Sequence, residues 1–298
     1  MVWLIGRIQT NGRGDIPAVA ALQQQFTLAS LGQWTQGEVS TAVTTAGGGG
    51  GESVNPYRQL ETMPAAEFLD SLARLMGEQY PAVEDRPVLD RLASIGVIPG
   101  QPYRGGRLGP LDDYLSELAL DITRGQIRKR LEEGREMENG WRVTRDTIGV
   151  YGTNYGVRAG VAMVGLGALP PAEASYPGTS VDETGQPLHG KYAYQLHFAP
   201  GETPPANAFW SLTMYDERGF LVDNPPGRYA IGDRDALQYN GDGSLDILIQ
   251  HGEPPSGPAN WLPAPAGPFA LTMRIYYPEE RFLDGSWQLP AVQRKAQH

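Results

Sequence analysis

The chain has 298 residues, 40% of them hydrophobic and 19% charged, with a formal net charge of −10. That is the composition of an ordinary globular protein, not a disordered one, and the length is more than a single core usually needs. The acidic balance argues against nucleic acid or an anionic membrane as partner, and no stretch approaches the ~18 consecutive apolar residues of a membrane helix.

There is no cysteine, which excludes disulfides, thiolate nucleophiles, Cys-ligated zinc and iron–sulfur clusters. The opening MVWLIGRIQTNGRGD reads as a buried strand and has no signal-peptide cleavage site. The location expected from this is cytoplasmic as written, and periplasmic or secreted if the chain is a mature fragment. Asp15 caps an expected helix with Pro17 in its first turn and Val19, Leu22, Gln23 and Phe26 on one stripe. The run Gly47–Gly51 reads as a linker, because no Lys-Ser/Thr follows to make it a phosphate loop.

Three helices are expected beyond that run. Pro64 opens one with Phe68, Leu69, Leu72, Leu75 and Met76 at helical spacing, and Pro87 a shorter one with Leu89 and Leu92 that stops near Gly96. The third, Pro110 to Gly134, lines up Leu111, Tyr114, Leu115, Leu118 and Ile122, with Asp112 and Asp113 first and Arg128 to Arg130 near the end, an order that suits the helix dipole. Tyr155–Leu166 is small and apolar, a helix suited to close packing.

From Pro170 the pattern changes, since 17 of the 25 prolines follow Leu169 and a period of two replaces helical spacing. Tyr192, Tyr194, Leu196 and Phe198 share one face against Ala193, Gln195 and His197. Trp210, Leu212 and Met214 oppose Phe209, Ser211, Thr213 and Tyr215, while Leu271, Met273 and Ile275 oppose Thr272, Arg274 and Tyr276. Leu245–His251 alternates in the same way. The expected fold class is α+β, a mostly helical N-terminal region followed by a C-terminal antiparallel β-sandwich of jelly-roll type.

No G-x-S-x-G, H-E-x-x-H, P-loop or strand-linked G-x-G-x-x-G motif occurs. A three-histidine metal site would need His189, His197 and His251 together, and none are spaced as a pair, so neither metal nor cofactor is expected. Asn240, Asp242 and Ser244 resemble a calcium loop but lack its closing Glu, and a tight hairpin accounts for them. The polar strand faces carry the candidate chemistry. Arg274 would clamp an anion, Tyr215 would act as acid or base, and Asp246 or His251 would be the base. Tyr155, Arg158, Trp210, Ser211, Thr213, Asn224, Arg228, Trp261 and Tyr276 are the binding candidates, although Trp210, Trp261 and Trp287 also suit core and turn packing.

The runs FWSLTMYDERGFLVDN, PPGRYAIGD, NGDGSLDILIQH and NWLPAPAGPFALTMRIYYP resemble the C-terminal module of a bacterial family known as domain of unknown function twelve-fourteen. The upstream IGRIQTNGRGDIPAVAALQQQFTLASL is similar to the last part of its usual partner, domain of unknown function twelve-fifty-four. The resemblance implies a jelly-roll-like sandwich after a helical region, with most of an N-terminal sandwich missing, and brings no catalytic residues. The expected divisions are 1–46 as a remnant of an N-terminal β/α domain, 47–168 as the helical region and 169–298 as the sandwich.

Two functional readings follow. The first is a cofactor-independent hydrolase or lyase on a small hydroxylated, ester or carboxylated substrate. The second is a ligand-binding or homo-oligomeric assembly module, in which sandwich edges and aromatic loops associate. Under both, nucleic acid and membrane are excluded as partners, and a cupin-type metal site is disfavoured by the lack of a His-x-His pair.

Overall fold

The computed structural model describes residue 6 and residues 8–10, 13–37, 56–105, 110–133 and 136–295. The expected N-terminal strand and the glycine run lie outside these residues. Two compact units result, one holding the chain up to Pro81 with Leu92–Arg104, the other Ala82–Arg91 with the chain from Gly105 onward.

In the first unit, helix α1 (Ile16–Gln23) is shorter than its expected stripe, so Phe26 falls beyond it, and Asp15 stands at the N-cap without a side-chain capping bond. Helix α2 (Leu31–Thr35) was not foreseen; Ser30 and Gln33 close a reciprocal capping box at its start. After α3 (Pro56–Thr62), helix α4 (Ala65–Glu78) buries Ala65 and Ala73 and leaves Leu75 exposed. The stripe therefore centres on small residues. A Cβ on Gly77 would lie 2.4 Å from Gly100 Cα, and Gly100 N–H donates to Ala73 C=O at 2.8 Å, a backbone approach that only glycine permits.

Helix α5 covers Arg86–Ser94. The second unit contains α6 (Pro110–Glu133), which packs on α7 (Tyr155–Val164), where Asn154 caps by accepting from Val157 N–H at 3.3 Å. The α6 stripe of Leu111, Tyr114, Leu115, Leu118 and Ile122 forms as expected but is exposed along its length.

The strands are β1 (Glu136–Glu138), β2 (Trp141–Val143), β3 (Ala174–Ser175), β4 (Gly178–Thr179), β5 (Tyr194–Phe198), β6 (Ala206–Asp216), β7 (Ala230–Gly232), β8 (Leu245–Gln250), β9 (Trp261–Pro263), β10 (Phe269–Pro278) and β11 (Gln293–Arg294), with α8 (Glu280–Leu283) between the last two. A seven-stranded sheet runs β1-β2-β4-β10-β6-β7 with β3 also on β10, and a four-stranded sheet runs β11-β5-β8-β9. Pairing is antiparallel except for β8 with β9. The sheets are not closed, so the structure supports antiparallel sheets after helices without reaching the jelly-roll form.

Alternation works as the sequence predicts. Leu196, Phe198, Ile247 and Ile249 of one sheet share a core with Trp210, Leu212, Leu271, Met273 and Ile275 of the other. The hairpin β1–β2 is a β element inside a region read as mostly helical. Its Asn139 and Gly140 have φ of 49° and 84°, the turn that Asn-Gly favours, and Trp141 behind it is fully buried. Glu138 and Arg145 form a buried bidentate pair, and Arg145 Nε–H also donates to Phe282 C=O at 2.6 Å, tying the hairpin to α8. The NGDGS segment is a tight turn, but not a hairpin, because β7 and β8 belong to different sheets.

Asp182 is 2% exposed, and its Oδ1 accepts from Thr184 N–H, Thr184 Oγ–H and Gln186 N–H at 3.0, 2.7 and 2.9 Å. Burial works to raise its pKa, but these bonds and the Arg294 charge outweigh burial and hold it below the usual carboxylate range. A folded pKa below the unfolded one gives stability that is present above about pH 4 and lost as pH falls through the folded value. Asp182→Ala is expected to lose about 1–3 kcal/mol in urea unfolding at neutral pH. The loss should shrink as the pH is lowered below the carboxylate range; a constant loss would show that another group titrates.

Candidate functional site

The outer face of the seven-stranded sheet is set by the β10–β6 register. Facing pairs there are Tyr276 with Phe209, Arg274 with Ser211, Thr272 with Thr213 and Ala270 with Tyr215. On the flanks, Gly178 of β4 stands opposite Thr272, while Gly232 and Ala230 of β7 stand opposite Ser211 and Thr213. The middle of the face is thus floored by small residues and bounded by large ones.

At one end the rings of Phe209 and Tyr276 stack at 4.4 Å, Tyr176 meets Tyr276 edge-on at 6.2 Å, and the Arg234 guanidinium lies 4.2 Å over Phe209. Toward the other end, Arg274 Nη1 donates to Thr213 Oγ1 and Nη2 to Tyr215 Oη, both at 2.6 Å. Both acceptors are neutral, and among the described residues Arg274 has no carboxylate partner. A guanidinium carries five N–H donors, so donors remain for an anion, with the Thr213 and Tyr215 hydroxyls beside it.

Asp246 does not join this face. It lies on β8, opposite His197 of β5, on the outer face of the four-stranded sheet, with the shared core between the two faces. There Asp246 Oδ1 meets His197 Nδ1 at 2.6 Å and also accepts from Gln195, and Asn240 Nδ2 donates to Oδ2 at 3.0 Å. Burial raises the Asp246 pKa, but the hydrogen bonds from His197, Asn240 and Gln195 prevail and keep it below the ordinary carboxylate value. An ionised carboxylate can only accept, so the neutral form of His197, a side chain that is 43% exposed, is the tautomer with its proton on Nδ1 and its lone pair on Nε2. His251, the other base candidate, contacts Ala264 C=O through Nδ1 at 2.9 Å at the end of β8.

The remaining candidates are placed elsewhere. Trp210 faces the core, with its ring 5.8 Å from Phe198. Trp261 is buried and donates from Nε1 to Gln250 C=O at 2.9 Å; Trp287 is buried beside Phe282. Asn224 accepts from Arg228 N–H at 2.9 Å and shapes the NPPGR loop, which Arg228 anchors by donating to Trp261 C=O at 2.9 Å. Tyr155 donates to Asp85 Oδ1 at 2.8 Å, and Arg158 lies 5.1 Å over the Tyr155 ring. The hydrogen bond to Asp85, aided by burial, raises the Tyr155 pKa. Of the candidate residues, therefore, Ser211, Thr213, Tyr215, Arg274 and Tyr276 come together. His197 was weighed as a strand residue and as part of a three-histidine metal site, not as a partner of Asp246; its signal, a register partner that is a carboxylate, requires knowing that β5 pairs with β8. Among the described residues no group of three His, Asp or Glu side chains is placed to hold a metal ion, and no helix is long and apolar enough to cross a membrane.

Residues 173–280 match a family model described as a protein of unknown function, DUF1214. The matched segment contains both sheet-face clusters, while Tyr155, Arg158 and the β1–β2 hairpin lie before it. No curated protein matches the chain. Among solved structures, the VPA0106 protein of Vibrio parahaemolyticus is 25% identical with a TM-score of 0.57, over 77% of this chain and 55% of that one. An uncharacterised protein from Burkholderia cenocepacia is 14% identical with a TM-score of 0.30, over 81% of this chain and 53% of that one, too weak a superposition to bear on the fold. The chain spans about half the length of these structures.

Two spectroscopic outcomes are expected. In nitrogen-15 NMR, neutral His197 should show a protonated Nδ1 and a bare Nε2, and Asp246→Ala should shift it toward the mixture of a free imidazole. Tyr155 is raised by a bond to a carboxylate, so in the folded state it should ionise above the ordinary tyrosine value near pH 10. Buried Tyr194 is raised as well, by desolvation, so an ultraviolet titration of Tyr155→Phe should show one tyrosine fewer ionising above about pH 10; an unchanged number would assign the shift to another tyrosine.

Proposed function

We propose that the outer face of β10 and β6 binds a small hydroxylated, carboxylated molecule, with Arg274 as the anion anchor. The observation that carries this reading is that the guanidinium is held in place by two neutral hydroxyls and, among the described residues, by no carboxylate. A surface arginine with a purely structural role ordinarily finds an acid or a backbone carbonyl; here Thr213 and Tyr215 fix its plane without neutralising it. The stacked Phe209–Tyr276 pair and the small-residue floor supply an apolar flank and room for a ligand body. In this reading the paired sheets are a jelly-roll-like sandwich serving as scaffold, and residues 5–31 are the tail of a preceding region of the twelve-fifty-four kind. A homo-oligomer is compatible with it and not required by it.

The test is titration calorimetry with butyrate and 3-hydroxybutyrate. Binding that Arg274→Gln abolishes, Arg274→Lys weakens by about tenfold and Thr213→Val weakens by several-fold supports the reading. Unchanged binding in Arg274→Gln refutes it, provided the variant unfolds at the temperature of the parent.

A second reading, acid–base catalysis by the hydrolase or lyase of the first hypothesis, is favoured by the Asp246–His197 contact of 2.6 Å. His197 Nε2 would take a proton from water as the water oxygen adds to an ester carbonyl. Its measure is hydrolysis of p-nitrophenyl acetate, with His197→Ala expected to fall to the background of free imidazole and Asp246→Asn to fall between. A rate in His197→Ala equal to the parent's removes this reading.

A further inference from the structure

Beside Arg274 and Arg234, the same face holds a further arginine that sequence reasoning did not single out. Arg142 is the middle residue of β2, flanked by the core residues Trp141 and Val143, so by alternation it belongs to the outer face. The register places it opposite Gly178 of β4, and Gly178 opposite Thr272 of β10, which in turn faces Thr213. One row across the sheet therefore reads Arg142, Gly178, Thr272, Thr213. Across β1 the row continues with Met137, which is exposed, so no acid stands opposite Arg142.

Arg142 Nε is buried and has no hydrogen-bond partner among the described residues. A desolvated guanidinium N–H without an acceptor is costly, and native proteins rarely keep one without a reason. Gly178 leaves the strip between Arg142 and Thr272 without a side chain. From strand spacing and rise, Arg142 lies roughly 10 Å across and 7 Å along the sheet from Arg274, about 12 Å between Cα atoms. Arg274 meanwhile leans toward β6, where it is held by Thr213 and Tyr215. Two guanidiniums set this far apart do not share one carboxylate. They match the two ends of a longer molecule.

We propose that Arg142 and Arg274 bind a dicarboxylate, one carboxylate at each guanidinium, with the linking chain laid over Gly178 and Thr272. This rests on Arg274 being an anion anchor and adds that the ligand has two anionic ends. The first carboxylate accepts from the free N–H donors of Arg274 and from the hydroxyls beside it. The second accepts from the terminal Nη groups of Arg142, since the enclosed Nε is closed to a ligand. Thr272 offers its hydroxyl to a polar group in the middle of the chain.

The experiment is calorimetry of the full chain with butyrate as a one-ended probe and succinate, adipate and suberate as two-ended ones. The parent should bind its best dicarboxylate at least tenfold tighter than butyrate. Arg142→Gln should bring that dicarboxylate to the level of butyrate and leave butyrate binding unchanged, while Arg274→Gln should lose both. Gly178→Val, which fills the strip, should weaken dicarboxylate binding more than butyrate binding. If Arg142→Gln keeps the preference, or if the parent shows none while butyrate binding still depends on Arg274, the two-ended ligand is refuted and the anchor stands. If no probe binds, or binding survives Arg274→Gln, both fall. Thermal unfolding of each variant separates loss of a contact from loss of the fold.

Discussion

The pairing of β10 with β6 fixes almost everything else in the second unit. It runs from Phe269 with Asp216 to Pro278 with Ala206 and is broken only at Tyr277, whose φ of 51° makes the bulge that ends it. Because side chains alternate, the same ladder that points Leu271, Met273 and Ile275 into the core must point Thr272, Arg274 and Tyr276 outward. Core and site are therefore one choice of register. A slip by one residue would bury Arg274 and expose Met273 together, a cost far beyond what any single contact on the outer face could offset. Gly232 tightens the arrangement from the far edge, since a Cβ there would lie 2.2 Å from Trp210 C=O. β7 can approach β6 so closely only as glycine.

What was legible in the sequence was what the chain encodes locally. Period-two runs such as Tyr194–Phe198 and Leu245–Gln250 became strands with the expected inner faces, because alternation needs only a strand and a core. Helix α6 was legible as a helix, but its apolar stripe is exposed, since spacing tells which residues share a face and not what covers it. The β1–β2 hairpin was missed because three-residue strands are too short to show a period. Its one local sign, Asn139-Gly140, stood in a stretch that otherwise read as helical.

The candidate site divides along the same line. Ser211, Thr213, Tyr215 and Arg274 could be read as polar strand faces, and they meet. Asp246 was assigned to them although its strand belongs to the other sheet, because chemistry alone cannot say which strands are neighbours. Its real partner, His197, is 49 positions away and joined to it only by the β5–β8 register. Arg142 had no local sign, as its role depends on a glycine 36 positions later being its neighbour across the sheet. Each omission is a contact between residues distant in sequence, and such contacts are what the topology supplies.

The hairpin at 136–143 also bears on how the chain reaches this structure. Asn139 Nδ2 donates to Leu289 C=O and Trp141 Nε1 to Pro290 C=O, each at 2.8 Å and spanning about 150 residues. The central strand β10 arrives only at Phe269. During synthesis the hairpin therefore leaves the ribosome long before the strand that anchors its sheet, or the carbonyls that receive its side chains, exist outside the tunnel. Until then Trp141, later one of the most buried residues, has nowhere to go. Closure of so many distant contacts late in translation makes this a slow-folding unit, and one whose nascent form presents an indole and unpaired strand edges to the cell's chaperones.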